Sequence, residues 1–198
     1  MTIAVLGSAL RGGGVQVLDV LLETVNPEDI SVYDDDKETH DKTVLGVRVI
    51  GCIDKALEHY KSGVIETCVI AIGSTIPRKS VYEKVMHEKI PLSNVISNRA
   101  IISKYTRIGQ GNIVLPGVYI GPNTKIGDNN YFTTGTQINH DTKVGSHCYF
   151  SAGAVVAGRV TIGDSCRFDT SCCITADAIV ENSTLIKANS THGPIRGI

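Results

Sequence analysis

The sequence has no excess of either charge and no basic cluster. Nineteen Lys and Arg residues stand against 20 Asp and Glu, which leaves a formal net charge of −1. Nucleic acids and anionic membrane surfaces attract proteins that concentrate positive charge. We therefore expect neither a nucleic acid nor a lipid surface as the main partner.

Long hydrophobic runs are also missing. A membrane-spanning helix needs about 20 consecutive apolar residues, and no stretch of this chain approaches that length. The first residues, MTIAVLGSALRGGG, contain a short apolar run with no basic flank before it, which is unlike a secretory signal peptide. We therefore expect no membrane span and a cytoplasmic location.

The cysteines are not spaced for metal binding. Six are present, but no two form a CxxC pair, which argues against a cysteine zinc site. Without a secretory signal, we expect these thiols to be reduced.

A period of six residues dominates the second half of the chain. Such a period fits neither an α-helix nor a simple alternating strand, but it fits a short strand followed by a tight turn. Three units would close a triangular coil of 18 residues, and 15 units would stack into five coils about 24 Å tall, at about 4.8 Å per coil. The apolar positions are Ile102, Ile108, Val114, Ile120, Ile126, Phe132, Ile138, Val144, Phe150, Val156, Ile162, Phe168, Ile174, Val180 and Ile186.

Small residues accompany this column. The residue two positions before each apolar one is usually small or short, and glycine often follows it. We expect the small side chains to fill the corners of the coils. Cys148 and Cys166 are one full coil apart and should stack. A disulfide between them is conceivable, but corner filling by reduced thiols accounts for them better.

The first 95 residues alternate differently. Apolar strands such as TIAVLG and TCVIAIG are separated by helical patterns such as VQVLDVLLETV and IDKALEHYKSG. This alternation predicts a small parallel α/β sheet, in which ligands bind beyond the carboxyl ends of the strands. Those ends are Gly7–Gly14, Asp34–Asp36 and Gly73–Arg78.

Each strand end has two interpretations. The loop GSALRGGG is not a dinucleotide-binding GxGxxG motif, so it is either a tight turn or a set of N–H groups facing a phosphate. The acids after the second strand either accept hydrogen bonds from a ribose or base or belong to a solvated turn. Arg78 either contacts phosphate or caps structure. The candidate residues for substrate binding here are Gly7, Ser8, Ala9, Arg11, Gly13, Asp34, Asp35, Gly73 and Arg78.

The hexapeptide series [LIV]-G-x-x-small-x resembles the left-handed parallel β-helix of hexapeptide-repeat acyltransferases. With the segments AVLGS, GGGVQVLD, VYDDD, VLGVRVIGCID, TQINHDTKVG and SAGAVVAGRVTIGD, nearly the whole chain is similar to one branch of them. That branch comprises nucleotide-linked amino-sugar N-acetyltransferases and sialic acid O-acetyltransferases. The resemblance implies a Rossmann-like nucleotide-sugar-binding domain at residues 1–95 and a left-handed β-helix acyltransferase domain at residues 96–198.

The resemblance also implies a reaction. An amine of a nucleotide-linked 4-amino-4,6-dideoxy sugar would attack acetyl-CoA directly, for glycan biosynthesis, with His140 as general base and Asp141 orienting it. A neutral imidazole suits that proton transfer; without the resemblance, His140 could equally be a polar turn residue. No metal takes part. The acetyl-CoA site would include Ser151, a backbone N–H of Gly153 for the oxyanion, and Gly158, Ala176 and Lys187.

Several positions depart from the family pattern. Thr133 stands where an asparagine is usual and Tyr149 where a second histidine is usual, so both are candidate substrate contacts. The glycine loop has Gly13 in the region where the family carries a histidine. His147 lies two residues out of register, and we expect it to be a surface turn residue. The final segment, NSTLIKANSTHGPIRGI, is expected to be short and irregular.

Other functions remain open. The same scaffold could acetylate a sugar hydroxyl, or it could bind a nucleotide sugar without catalysis. A zinc hydratase would need three converging histidines, which the pattern does not provide. The prism faces and the resemblance predict a homotrimer.

Overall fold

The computed structural model describes residues 2–7 and 12–194. Ser8, Ala9 and Arg11, which we predicted to bind substrate, lie outside the described residues. The chain divides into two units, Met1–Ile96 and Ser97–Ile198.

The described part of the first unit contains three helices and six strands. The helices are α1 (Gly13–Leu21), α2 (Ile53–Lys61) and α3 (Thr75–His87), with short 3-10 helices at Pro27–Asp29 and Lys37–Thr39. The strands are β1 (Ile3–Leu6), β2 (Ile30–Tyr33), β3 (Thr43–Val44), β4 (Val47–Gly51), β5 (Thr67–Ile70) and β6 (Val95–Ile96). No helix in the described part of the chain has both the length and the hydrophobicity to cross a membrane.

The sheet of the first unit has the strand order β3-β4-β2-β1-β5. Strands β4, β2, β1 and β5 run parallel, as the α/β alternation predicted. Every residue of β1 and β5 is buried, as expected for central parallel strands. The antiparallel β3–β4 hairpin was not predicted. Its signal was Leu45-Gly46 between two apolar segments, and both residues have the positive φ that a tight hairpin turn requires.

The second unit is a parallel β-helix of two-residue strands. The strands are β7 (Ile101–Ile102), β8 (Arg107–Ile108), β9 (Ile113–Val114), β10 (Tyr119–Ile120), β11 (Lys125–Ile126), β12 (Tyr131–Phe132), β13 (Gln137–Ile138), β14 (Lys143–Val144), β15 (Tyr149–Phe150), β16 (Val155–Val156), β17 (Thr161–Ile162), β18 (Arg167–Phe168), β19 (Cys173–Ile174), β20 (Ile179–Val180), β21 (Leu185–Ile186) and β22 (Thr191–His192).

Three sheets form the sides of the prism. Among the strands of the second unit, sheet 1 contains β7, β10, β13, β16, β19 and β22; sheet 2 contains β8, β11, β14, β17 and β20; sheet 3 contains β9, β12, β15, β18 and β21. Each inner strand pairs in parallel with its equivalents one coil before and one coil after it, as Ile120 does with Ile102 and Ile138. The predicted coil is therefore confirmed.

The predicted apolar column forms the core of the prism. All 15 of its residues lie at the second position of strands β7–β21; those from Val114 to Ile186 are buried, and Ile102 and Ile108 pack against them. The rings of Phe132, Phe150 and Phe168 stack with centroid separations of 4.8 and 4.4 Å. Cys148 and Cys166 are buried free thiols in the same core, in line with corner filling.

Three corners connect the sheets. The first corner joins sheet 1 to sheet 2 and contains residues 121–124, 139–142, 157–160 and 175–178. The second joins sheet 2 to sheet 3 and contains residues 127–130 and 145–148. The third joins sheet 3 to sheet 1 and contains residues 133–136, 151–154 and 187–190. Most of these turns contain one residue with positive φ, such as Asp141 at 58°.

The expectation of an irregular end was wrong for residues 182–192. Leu185 of β21 pairs with Arg167, and Thr191 of β22 pairs with Cys173. The β-helix therefore continues through a sixteenth hexapeptide unit. The regular backbone pairing of each coil on the previous one is sufficient to extend it, although polar His192 stands at the position of the apolar column.

Buried asparagines tie the second corner together. The Asn130 side chain accepts the N–H of Cys148 at 2.8 Å and donates to the carbonyl of Gly145 at 3.0 Å. We expect Asn130→Ala to lower the free energy of unfolding by about 1–3 kcal/mol, because both buried backbone groups lose their partners. Urea denaturation measures the change. Gln137→Ala, at an exposed strand position, is the control and should shift stability by less than about 0.5 kcal/mol; equal effects of the two variants would contradict the prediction.

Candidate functional site

A histidine–carboxylate pair lies at the first corner. Nδ1 of His140 is 2.7 Å from Oδ2 of Asp141, and both side chains are about half exposed, at 49% and 47%. The pair is local in sequence, but the turn conformation brings the two side chains together, since Asp141 has a φ of 58°. Carboxylate hydrogen bonding to one ring nitrogen sets the tautomer and orientation of an imidazole.

Asp141 is held from the preceding coil. Nδ2 of Asn123, one coil earlier, donates to Oδ1 of Asp141 at 3.1 Å. The hydrogen bond with His140 lowers the pKa of Asp141, and the bond from Asn123 lowers it further. The carboxylate therefore stays ionised as the pH falls into the range where an ordinary aspartate begins to protonate. An ionised Asp141 accepts the Nδ1 proton and leaves Nε2 of His140 as the proton acceptor.

The imidazole of His140 lies over Gly158, one coil further on. A methyl group built on Gly158 would lie 2.6 Å from both Cε1 and Nε2 of His140. Because Gly158 has no side chain, the imidazole ring of His140 occupies the space that a side chain at this position would fill. The backbone beneath is fixed, because the N–H of Arg159 donates to the carbonyl of His140 at 3.0 Å.

Charged side chains extend the first corner. Arg159, directly after Gly158, makes two hydrogen bonds to Asp177 at 2.7 and 3.0 Å. Its positive charge also contributes, as a smaller cause, to the lowered pKa of Asp141. Asn123, Asp141, Arg159 and Asp177 therefore form a stacked column with one member in each successive coil.

The predicted site residues divide between corners. His140, Gly158 and Ala176 lie at the first corner, whereas Thr133, Ser151, Gly153 and Lys187 lie at the third. Tyr149 lies on β15 of sheet 3, with the guanidinium of Arg167 4.9 Å from its ring centroid. His147 lies at the second corner with a φ of 64°. The strands of sheet 1 lie between the third and the first corner, so within one chain the two predicted groups stand at different corners of the prism.

Residues at the third corner already have hydrogen-bond partners. The N–H of Gly153 donates to the carbonyl of Thr134 at 3.2 Å. Gly153 would have to give up this bond to donate to an oxyanion. The hydroxyl of Thr133 donates to the carbonyl of Phe150 at 2.9 Å. Their roles in binding stay predictions.

In the first unit, glycines occupy the ends of the sheet. Gly7 has a φ of 74° and follows β1, where any side chain would clash with Ile72. Its N–H donates to the carbonyl of Tyr33 at 2.7 Å. Gly13 begins α1, which both interpretations of the loop allow, and phosphate binding there stays a prediction.

The acidic and basic candidates of this unit make structural contacts. Asp35 accepts the N–H of Ile53 at 2.9 Å and so caps α2, while Asp34 accepts the N–H of Asp36 at 2.9 Å. Arg78 is 1% exposed and donates to the carbonyls of Ile72 and Gly73 at 3.3 and 3.2 Å. These bonds are the kind of contact that the capping interpretation of Arg78 predicts. Substrate binding by these residues stays a prediction.

Three features of the site were not predicted from the sequence. They are the hydrogen bond from Asn123 to Asp141, the positive charge of Arg159, and the space that Gly158 leaves for the imidazole ring. The signal was the one-coil interval, since Asn123 and Arg159 stand one coil before and after Asp141. Within residues 2–7 and 12–194, no three His, Cys, Asp or Glu side chains are grouped so that they could hold a metal ion.

Comparisons with known proteins agree with this architecture. Residues 3–85 match the family described as PglD N-terminal domain. The acetyltransferase domain of PglB from Neisseria gonorrhoeae, solved with acetyl coenzyme A, is 22% identical with a TM-score of 0.82, over 97% of this chain and 93% of that one.

Two further solved structures share the fold. PerB from Caulobacter crescentus, solved with CoA and GDP-perosamine, is 25% identical with a TM-score of 0.71, over 96% of this chain and 91% of that one. WeeI from Acinetobacter baumannii is 21% identical with a TM-score of 0.73, over 98% and 94% of the two chains. No curated protein sequence matches significantly. The predicted fold and family resemblance are confirmed.

Proposed function

We propose that this chain is an acetyl-CoA-dependent sugar acetyltransferase, and that its acceptor is the amino group of a nucleotide-linked 4-amino-4,6-dideoxy sugar. The observation that carries the proposal is the His140–Asp141 pair at 2.7 Å with the ring resting over Gly158. The fold shared with PglB, solved with acetyl coenzyme A, and PerB, solved with CoA and GDP-perosamine, supports it. A role in glycan biosynthesis and a cytoplasmic location belong to the same proposal.

The residues of the first corner suit proton transfer. A sugar amine must be unprotonated to attack a carbonyl carbon, and Nε2 of neutral His140 takes the proton that the nitrogen loses. Asp141, held by Asn123, keeps Nδ1 protonated and stabilises the imidazolium that forms. Acetyl-CoA supplies the acetyl thioester, from which the acetyl group passes to nitrogen while the carbon–sulfur bond breaks. The proton taken by His140 returns to the departing sulfur.

The column below His140 suits the approach of acetyl-CoA. Gly158 and Ala176 follow at successive coils and present no long side chain beside the ring. A thioester lying along this column would reach Nε2 without displacing a side chain. Lys187, at the exposed third corner, would belong to a site contributed by another copy.

A homotrimer would complete the site. The first corner carries the proton acceptor and the third carries Thr133, Ser151 and Gly153, about one side of the triangle away within one chain. In a closed cyclic arrangement, the first corner of one copy faces a different surface of the next. The acceptor and acetyl-CoA would then bind between copies. Sedimentation equilibrium at micromolar concentration tests this, and a monomer that is fully active would refute it.

The experiment that tests the function is CoA release from acetyl-CoA with a panel of acceptors. The panel pairs each nucleotide-linked 4-amino sugar with its 4-hydroxy counterpart and includes a sialic acid. We expect release with one amino sugar and a product mass increased by one acetyl group. Release with the hydroxyl compounds alone would establish O-acetylation instead. Binding of nucleotide sugars without any release would identify a binding protein and overturn catalysis.

A further inference from the structure

Three cations stand in register on the outer face of sheet 2. Arg107, Lys125 and Lys143 pair in sequence across β8, β11 and β14, with about 4.8 Å between neighbouring strands. All three are exposed, and none takes part in an ion pair among the described residues. We call them the cation ladder.

The cation ladder is electrostatically unfavourable by itself. Like charges directly opposite each other on neighbouring strands destabilise a sheet. The outward residues that follow on sheet 2, Thr161 and Ile179, provide no carboxylate. The closest acids in sequence are engaged, because Asp128 accepts the N–H of Gln110 at 2.9 Å and Asp141 is bound to His140 and Asn123. An anion from outside the chain would remove this repulsion.

A cavity lies beside Arg107 and Lys125 of the cation ladder. It has a volume of about 290 Å³ and is lined by Tyr105, Arg107, Asn123, Thr124 and Lys125, so its charged side chains are all positive. Small-ligand pockets usually measure about 300–1,000 Å³, which makes this cavity large enough for one part of a ligand. The Arg107 guanidinium can hold phosphate oxygens in a forked geometry, and Lys125 adds a point charge.

An exposed aromatic ring completes the cavity. Tyr105 is 65% exposed, and Nζ of Lys104 lies 5.1 Å from its ring centroid. An exposed ring beside cations suits a nucleobase, since base–aromatic stacking contributes about 1–3 kcal/mol. Phosphate-binding cations next to a stacking surface together match a nucleoside diphosphate.

The cavity adjoins the catalytic pair through Asn123. The same residue lines the cavity and donates to Asp141 at 3.1 Å, and Asp141 holds His140. A ligand in the cavity therefore lies on the coil next to the reacting groups, on the side opposite Gly158.

We propose that the cavity formed by Tyr105, Arg107 and Lys125 binds the nucleoside diphosphate part of a substrate. This deepens the proposed function, on which the identity of the ligand rests. Acetyl-CoA and a nucleotide-linked sugar both contain a pyrophosphate joined to a nucleoside, so the chemistry of the cavity is common to both sources. The cavity would anchor that end while the reacting group reaches His140.

Calorimetric titration of the full chain tests the proposal with inorganic pyrophosphate, CoA, UDP and GDP as probes. The variant R107Q/K125Q removes both charges that line the cavity, and the matched control R107K/K125R exchanges the cations and keeps the charge. We expect Kd for pyrophosphate to rise about tenfold or more in the first variant and less than about threefold in the control. Tyr105→Ala should weaken binding of the nucleotides but not of pyrophosphate.

The probes also separate the two sources. Weakened CoA binding with unchanged UDP and GDP binding assigns the cavity to acetyl-CoA, and the reverse assigns it to the nucleotide-linked sugar. No pyrophosphate binding by the wild type, or unchanged binding of every probe in R107Q/K125Q, overturns the proposal. A change in sedimentation mass in R107Q/K125Q, with binding of every probe unchanged, would also overturn the proposal. It would show that the cation ladder is a contact between copies of the chain. Failure of the acetyltransferase function would appear separately, as no CoA release by a wild-type chain that still binds pyrophosphate.

Discussion

His140→Asn is expected to lower kcat/KM for the amino-sugar acceptor by about 10²–10⁴-fold, because it removes the group that takes the proton from the attacking amine. The side chain is exposed and contributes nothing to the core, so the thermal unfolding temperature should change little. CoA release at saturating acceptor and acetyl-CoA, measured beside the unfolding temperature, is the decisive readout. A large loss of kcat/KM in a variant that unfolds at the wild-type temperature would assign the proton acceptor to His140.

Asp141 is expected to act as an ionised carboxylate. The hydrogen bond with His140 lowers the pKa of Asp141, so its carboxylate becomes protonated only below the pH range of an ordinary aspartate. Asp141→Asn should lower kcat, since its amide cannot stabilise the imidazolium as a carboxylate does. CoA release at saturating acetyl-CoA measures the change.

His147→Asn is the matched control for His140→Asn. His147 lies at the second corner, has a φ of 64° and contacts Asn129 through Nδ1 at 2.9 Å. Asparagine tolerates positive φ better than most residues, so this substitution removes a second histidine with little strain. Activity should stay within about twofold of the wild type. Equal losses from the two substitutions would refute the assignment of the base to His140.

Gly158→Ala is expected to abolish most activity while leaving the fold intact. The added methyl would lie 2.6 Å from Nε2 and Cε1 of His140, so the ring must move. Gly158 is not among the positive-φ residues, so alanine meets no backbone strain there. Because the obstructed atoms belong to an exposed side chain that can swing into solvent, the free energy of unfolding should change by less than about 1 kcal/mol. We expect kcat to fall by about 10²-fold.

Steady-state kinetics separate this effect from blocked acetyl-CoA binding. Displacement of the ring lowers kcat at saturating acetyl-CoA, whereas a blocked cofactor channel raises KM and spares kcat. A wild-type kcat in Gly158→Ala would show that the ring position is unimportant. Gly163→Ala is a control in which stability, and not activity, should change. Its added methyl would lie 2.8 Å from the backbone nitrogen of Asn182. That backbone cannot swing away, so this variant should lose stability rather than specific activity.

Much of the second unit was predictable because its determinants are local and repeated. An apolar residue at every sixth position can be buried only if the chain turns at regular intervals around each coil, and small residues such as Ala154 and Cys166 leave room at the turns. In the first unit the alternation of apolar strands and helical patterns predicted a parallel sheet. The β3–β4 hairpin was missed because its two-residue strand β3 is too short to show a pattern.

The roles of the site residues were harder to predict from the sequence than the fold. His140 and Asp141 were found through resemblance, and their contact is local. The resemblance put Gly153 and Gly158 in one acetyl-CoA site, yet the coil places Gly153 at the third corner and Gly158 under His140. The sequence also did not show that Arg78 is buried and bonded to the carbonyls of Ile72 and Gly73, because its position after a strand is the same for a capping residue and for a phosphate ligand.

By itself, the sequence determined the sixfold period, the coil of three units and the residues that form the core, because hydrophobic burial acts on each unit in the same way. Only the tertiary structure decided which side chains meet across coils. Asn123 supports Asp141, and Gly158 leaves space for His140, because stacking places equivalent positions of neighbouring coils in contact. Whether such a pair bonds, clashes or leaves a cavity depends on the direction of side chains at each turn, which the period does not specify.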